Sequence, residues 1–232
     1  MATIESALHD LEKLVERAST FDFGVPAPRP GTAVRDSAVL ILFGVLDTTP
    51  AAAPSPAPHE LDLLLLRRSG SLSHHPGQIA FPGGGRDLED ANPIATALRE
   101  AREETGLPEG GVTVIGELSS VHLINSGNLV TPVLGWWNEK HPLIPDGVET
   151  VDVYRVPVGE LLSPDARGSS VLRYGGQTVT GPLFVLGPQF DNQIVWGFTA
   201  MILDRLFEEM GWTVPWDTGR TIDLTARVLG RA

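Results

Sequence analysis

The sequence predicts an α/β sandwich. Short apolar runs of strand length recur along most of the chain, helical segments with an apolar stripe interrupt them, and Gly/Pro-rich stretches separate the two kinds of segment. At 232 residues, 42% of them apolar, the chain is long enough to bury one sizeable core.

Taken in order, the first twenty residues, MATIESALHDLEKLVERAST, read as an amphipathic helix whose acidic residues are foreign to a signal peptide. The linker FGVPAPRPG leads into the strand-like run SAVLILFGVL. DTTPAAAPSPAPHE is too rich in Pro and Ala to pack and reads as a mobile surface loop. LDLLLLRRS then reads as a buried strand that ends in Arg67 and Arg68. GSLSHHPGQIAFPGGGRDLED is a long loop with a short strand at Gln78–Phe81.

A helix follows, with Asn92 as N-cap, Pro93 in the first helical position and Gly106 just past its end. Its stripe of Ile94, Ala97, Leu98 and Ala101 faces the core, which points Glu100, Glu103 and Glu104 elsewhere. The runs VTVIGELSSVHLI, LVTPVLGWW, VDVYRVPV and TVTGPLFVL read as strands, and WGFTAMILDRLFEEMGW as a further helix. The last twenty residues carry no clear pattern. The expected division is a helix and linker over residues 1–35, one domain over 36–212 and a tail over 213–232.

Lys plus Arg number 17 against 29 Asp plus Glu, a net charge of -12 that disfavours nucleic acid and anionic membrane as partners. An anionic small molecule remains accessible to such a chain if local Arg or Lys, or a divalent cation, receives it. With no cysteine, disulfides, thiolate catalysis and iron–sulfur clusters are excluded, and any metal is held by oxygen or imidazole. No run approaches the roughly 20 apolar residues of a membrane span, so a cytoplasmic protein is expected, with a homodimer left open.

The segment REAREETG, Arg99 to Gly106, breaks local rules of helix design. Glu100 lies three and four residues before Glu103 and Glu104, and each like-charge pair costs roughly 0.2–0.5 kcal/mol. Glu103 and Glu104 also sit at the helix C-terminus, where cations are favoured by roughly 0.3–1 kcal/mol. Closely spaced carboxylates are what a hard cation such as Mg²⁺ or Mn²⁺ prefers, and such an ion would remove the repulsion.

REAREETGL resembles the second half of the Nudix box: Arg, Glu, an apolar residue, any residue, Glu-Glu, any residue, Gly, an apolar residue. Gly85 matches the start of the box. Ala91 stands where the box has Glu, with Glu89 and Asp90 nearby as alternative carboxylates. Leu64 to Gly84 is similar to the signature that accompanies the box in coenzyme A pyrophosphatases, matching at Arg68, Ser69, Leu72, Gly77, Phe81, Pro82, Gly83 and Gly84. Leu66 and Ser73 replace its usual Thr and Arg. SGNLVTPVLG and VWGFTA extend the likeness, which runs from about Ala38 to Trp212.

This resemblance implies a Nudix-type α/β/α sandwich with a mixed β-sheet. It implies Glu100, Glu103 and Glu104 as ligands of Mg²⁺ or Mn²⁺, with Glu103 also catalytic and Arg99 as an orienting ion-pair partner. Glu149, eight residues before the Pro of Val-Pro, corresponds to a family acid and is expected as a further ligand or the general base, with Asp152 the next acid. Arg67 and Arg68 are candidate phosphate clamps, and Ser69, Gly77, Phe81, Gly83 and Gly84 complete the expected binding loop. The three glycines at 83–85 offer positive φ and close approach of a carbonyl to metal. His74 and His75 lack metal-ligand spacing and are expected at the substrate or in solvent. Trp136 and Trp137 are candidates for stacking on adenine, one of them for the core. The implied reaction is hydrolysis of coenzyme A to 3′,5′-ADP and 4′-phosphopantetheine. NADH, ADP-ribose and a non-catalytic nucleotide-binding role are the alternatives.

Overall fold

The computed structural model describes residues 3–46, 60–72, 75–108, 110–124, 126–138 and 141–229. The Pro/Ala-rich stretch over 47–59, and His74, lie outside the described residues. The chain begins with α1 (Ile4–Glu16), β1 (Arg35–Val45), β2 (Leu61–Arg68), β3 (Ile79–Ala80), β4 (Gly83–Gly85) and α2 (Pro93–Thr105). It continues with β5 (Val112–Glu117), β6 (Val121–Leu123), β7 (Asn128–Trp137), β8 (Thr150–Pro157) and α3 (Val158–Leu162). The last third holds β9 (Arg167–Tyr174), β10 (Gln177–Val185), β11 (Ile194–Trp196), α4 (Gly197–Glu209), β12 (Thr221–Asp223) and α5 (Thr225–Leu229).

Eight strands form the main sheet, in the order β3-β2-β1-β7-β5, with β4 added to β1, β6 to β7 and β8 to β2. β1 and β7 run parallel while β2 and β4 pair antiparallel with β1, so the sheet is mixed. The remaining four strands make a second sheet, β11-β10-β9-β12. The α/β class expected from the sequence is the one found.

β1 explains why its sequence is apolar at nearly every position. Successive side chains point to opposite faces, and both faces are covered. Ala38, Leu40 and Leu42 pack with Leu64 against Ala97 and Ala101 of α2. Ile41 and Phe43 pack with Leu63 and Leu65 against α1, α4 and the second sheet. Truncating a core leucine such as Leu64 to Ala is expected to cost about 2–5 kcal/mol.

α1 shares this second core through Ala7, Leu11 and Leu14, each 0% exposed. A side chain at Gly116 would lie 2.4 Å from Val15 Cγ1, so α1 lies directly on β5. Trp212 Nε1 donates to Asp10 at 3.0 Å, which ties the end of α4 to α1. Residues beyond 213 are also structured, since β12 lies parallel to β9. Among the described residues no helix is long and apolar enough to cross a membrane.

Candidate active site

α2 begins and ends where its sequence dictates. The Asn92 side chain accepts from the Ala95 N–H at 2.9 Å, and Gly106 closes the helix at φ 70°. The three carboxylates do not share one environment. Glu104 is buried at 4% exposure, whereas the Glu103 side chain is 53% exposed and that of Glu100 18%. The expectation that this whole face points away from the sheet is therefore corrected for Glu104. That residue lies one turn past Ala101 and two past Ala97 on the same side of the helix, and β4 gives it room.

β4 is the Gly-rich segment, and it is a strand rather than a turn. Gly83, Gly84 and Gly85 pair antiparallel with Val39, Ala38 and Ser37. Only Gly83 has positive φ, at 157°. A Cβ there would meet the Ala38 carbonyl at 2.4 Å. At Gly84 the requirement is space: a Cβ would stand 2.5 Å from the carboxyl carbon of Glu100. The Gly83 N–H donates to Glu104 Oε2 at 2.9 Å, so α2 and β4 are joined through a carboxylate.

Burial pushes the Glu104 carboxyl up to about 7, against the lowering effects of the Gly83 N–H and Arg68; nearby Glu100 and Glu149 add to the rise. Glu100 is raised as well, again by desolvation first, with Arg99 opposing it.

Arg99 gathers the acids on the open side of α2. Its Nη1 lies 2.9 Å from Glu100 Oε1 and 3.1 Å from Glu103 Oε2, and its Nη2 donates to the Gly85 carbonyl at 2.9 Å. Asp90 completes the set, accepting from Nε at 3.1 Å and Nη2 at 2.9 Å. The Arg99 hydrogen bonds hold the Asp90 carboxyl well below the usual carboxylate range. Asp90 also accepts from the Asp87 N–H at 3.0 Å. Of the two carboxylates beside Ala91, Asp90 is the one that pairs with Arg99, while Glu89 is exposed.

The two consecutive arginines diverge, because neighbouring residues in a strand point to opposite faces. Arg67 lies opposite Asp152 in the β2–β8 register and pairs with it, Nε to Oδ2 at 2.6 Å. Tyr154 also donates to Asp152, at 3.3 Å. Arg68 follows a register shift and faces α2 instead. Its Nη1 is 3.7 Å from Glu104 Oε1 and its Nη2 is 3.8 Å from Glu149 Oε2. Of the two candidate phosphate clamps, Arg67 is therefore taken up by Asp152, and Arg68 borders the carboxylates.

Glu149 reaches this position through its backbone. The Ser69 N–H donates to the Glu149 carbonyl at 2.6 Å, next to Arg68. Asp146, which the sequence did not single out, accepts from the N–H groups of Val148, Glu149 and Thr150 at 2.9, 3.1 and 2.8 Å through one oxygen. This Asx-type turn fixes the approach to β8.

The other loop residues form a scaffold. Ser69 is 8% exposed and Phe81 3% exposed within the core, while Gly77 turns the chain at φ 66°. His75 contacts Gln78 at 3.1 Å. Trp137 is buried among the α2-side residues with Arg155 over its ring, and Trp136 packs against the opposite core. Trp137 is the tryptophan of the core, and Trp136 is partly buried.

Chemically, the site offers oxygen donors only, on a rigid helix and strand, with two of the carboxylates disfavoured in their charged form. That donor set fits a hard divalent cation. Among the described residues, no three acidic or imidazole side chains converge on a single ion position as they stand, since guanidinium groups lie between them.

A family model for the NUDIX domain matches residues 48–170. The chain belongs to the Nudix family. It is 36% identical over 148 residues to a Photorhabdus laumondii protein named uncharacterized Nudix hydrolase NudL, covering 64% of this chain and 76% of that one. The protein of the same name from Yersinia pestis is 35% identical over 151 residues, 65% of this chain and 73% of the relative. Among solved structures, a Nudix hydrolase from M. smegmatis, RenU, is similar with a TM-score of 0.43 and 26% identity, over 55% of this chain and 73% of that one. This Nudix hydrolase is accordingly an enzyme that cleaves phosphoanhydride bonds in nucleoside diphosphate derivatives, in a family that uses divalent cations.

Proposed function

We propose that this Nudix hydrolase cleaves the diphosphate of coenzyme A or its derivatives, with Mg²⁺ or Mn²⁺, giving 3′,5′-ADP and 4′-phosphopantetheine. The observation that carries the proposal is the union of the Leu64–Gly84 signature with the Glu helix: Gly83 bonds Glu104, Gly84 makes room for Glu100, and Arg68 faces Glu104 and Glu149.

In this reading Glu100, Glu103 and Glu104 hold the cation. When bound, the cation supplies positive charge to the diphosphate and the leaving phosphate, and it acidifies the attacking water. Glu149 serves as general base: its side chain is 56% exposed and lies at the rim of the carboxylate cluster. Arg99 orients Glu100 and Glu103, and Arg68 receives a phosphate oxygen. Gly84 leaves room for the Glu100 carboxylate and Gly83 lets β4 pair closely with β1, while Ser69, Gly77 and Phe81 shape the loop that adjoins them.

Chromatographic analysis of products from coenzyme A, NADH, ADP-ribose and diadenosine polyphosphates, with Mg²⁺ or Mn²⁺, tests the assignment. Coenzyme A is expected to be turned over fastest, and Glu103→Gln to fold yet lose most activity. Preference for another substrate, or near-normal turnover by Glu103→Gln, would overturn it.

A further inference from the structure

Two arginines neutralise the carboxylates of this site, and they do so differently. Arg99 is committed, with donor–acceptor distances of 2.9–3.1 Å to Asp90, Glu103 and the Gly85 carbonyl. Arg68 stands 3.7 Å from Glu104 and 3.8 Å from Glu149, within Coulombic reach of both and beyond hydrogen-bond length to either. The geometry of Glu104 fits this division. Its Oε2 is fixed by the Gly83 N–H, and its Oε1 is the oxygen nearest Arg68.

Arg68 is thus a positive charge between an acid on α2 and an acid on the loop before β8. The Ser69 N–H bond to the Glu149 carbonyl holds that loop against the end of β2, next to Arg68. The Arg68 side chain is 22% exposed and sits at a strand end, where its long stem can turn outward without disturbing the core.

We propose that Arg68 is an exchangeable internal counter-cation of the Glu104–Glu149 pair, one that competes with the divalent ion for Glu104 and turns toward the anionic substrate when the ion takes its place. The proposal rests on the assignment of Glu104 as a metal ligand. Its consequence is that the same arginine weakens binding of the cation alone and strengthens binding of the substrate, so that substrate and cation load together.

The test is titration of the full chain with Mn²⁺ in the absence of substrate, by calorimetry or by loss of the free-ion paramagnetic resonance signal. Removing a unit charge a few ångströms from a divalent ion in a partly exposed site is expected to tighten binding by about 3- to 30-fold in Arg68→Gln. Arg68→Lys keeps the charge and is expected within about threefold of wild type. Arg67→Gln, whose guanidinium is held by Asp152 on the other face, is expected to leave the Mn²⁺ affinity unchanged. With chelator present, Arg68→Gln is expected to melt below wild type, and this readout also reports that the variant folds. Wild-type protein that binds Mn²⁺, with Arg68→Gln binding it equally or more weakly, overturns the competition while leaving the metal assignment intact. Equal tightening in Arg67→Gln also overturns it, by showing an effect of net charge only. Wild-type protein that binds no Mn²⁺ overturns both the competition and the metal assignment.

Discussion

Asp90 accepts hydrogen bonds from Nε and Nη2 of Arg99, and Arg99 in turn reaches Glu100 and Glu103. The acid that fixes Arg99 therefore comes from the loop before α2, at the residue preceding Ala91. Asp90→Ala is expected to lower stability by about 1–3 kcal/mol, because Arg99 keeps other acidic partners, and to lower kcat/KM at least about tenfold. Adding Ala91→Glu to that variant tests the displaced register. Partial recovery of activity is expected, and steady-state kinetics on the single and double variants measures it.

The two glycines of β4 are expected to fail differently. In Gly83→Ala the new carbon meets backbone at the Ala38 carbonyl, which cannot move without breaking the strand pair, so a loss of several kcal/mol is expected. In Gly84→Ala the nearest atoms are those at the end of the Glu100 side chain. That variant is expected to melt within a few degrees of wild type and to lose activity at least about tenfold. Thermal melts paired with kinetics separate the two cases, and equal thermal damage would count against the close-approach explanation for Gly84.

Glu104 makes stability depend on pH. Its carboxyl titrates near 7 in the folded protein against 4.5 as the ordinary value, so between these pH values the folded state binds more protons than the unfolded one. Stability from this group is full below pH 4.5, falls as pH rises, and is lost above pH 7. The loss is on the order of 3 kcal/mol. Melts in chelator from pH 5 to pH 8 are expected to show this decline in wild type and a shallower one in Glu104→Gln. Millimolar Mg²⁺ or Mn²⁺ is expected to restore stability at the alkaline end in wild type alone.

Asp146 provides a fourth handle on the site. Because one of its oxygens accepts all three N–H bonds, Asp146→Asn is expected to keep the turn and near-normal activity. Asp146→Ala is expected to lower kcat several-fold through misplacement of Glu149, with a melting temperature lowered only slightly. A pH–rate profile distinguishes this from general destabilisation, since a misplaced base alters the acid limb.

How much of this was legible in the sequence follows from which signals are local. The caps of α2 at Asn92 and Gly106, and the apolar runs of β1 and β2, announce themselves because propensity, capping and burial agree there. β9 went unread because RGSSVLRY has neither strict alternation nor a continuous apolar run; it is a strand through pairing with β10 and β12. The glycines of β4 suggested a turn, and their pairing with β1 depends on contacts far away in the chain. Motif spacing identified the acidic residues, whereas the inward turn of Glu104, the divergence of Arg67 from Arg68 and the part played by Asp146 depend on register and loop geometry. Asp90 was within reach of sequence reasoning as a neighbour of Ala91, but only the fold chooses it over Glu89.

The central strand β1 ends at Val45, before the stretch that matches the family model begins at residue 48. β1 is the strand on which β2, β4 and β7 all assemble, and it lies beneath α2. A fragment excised at the limits of that match would carry every proposed ligand and lack the central strand against which α2 packs. Catalytic heritage and the autonomous folding unit thus have different edges in this chain, and anyone trimming it for expression should cut by packing rather than by likeness.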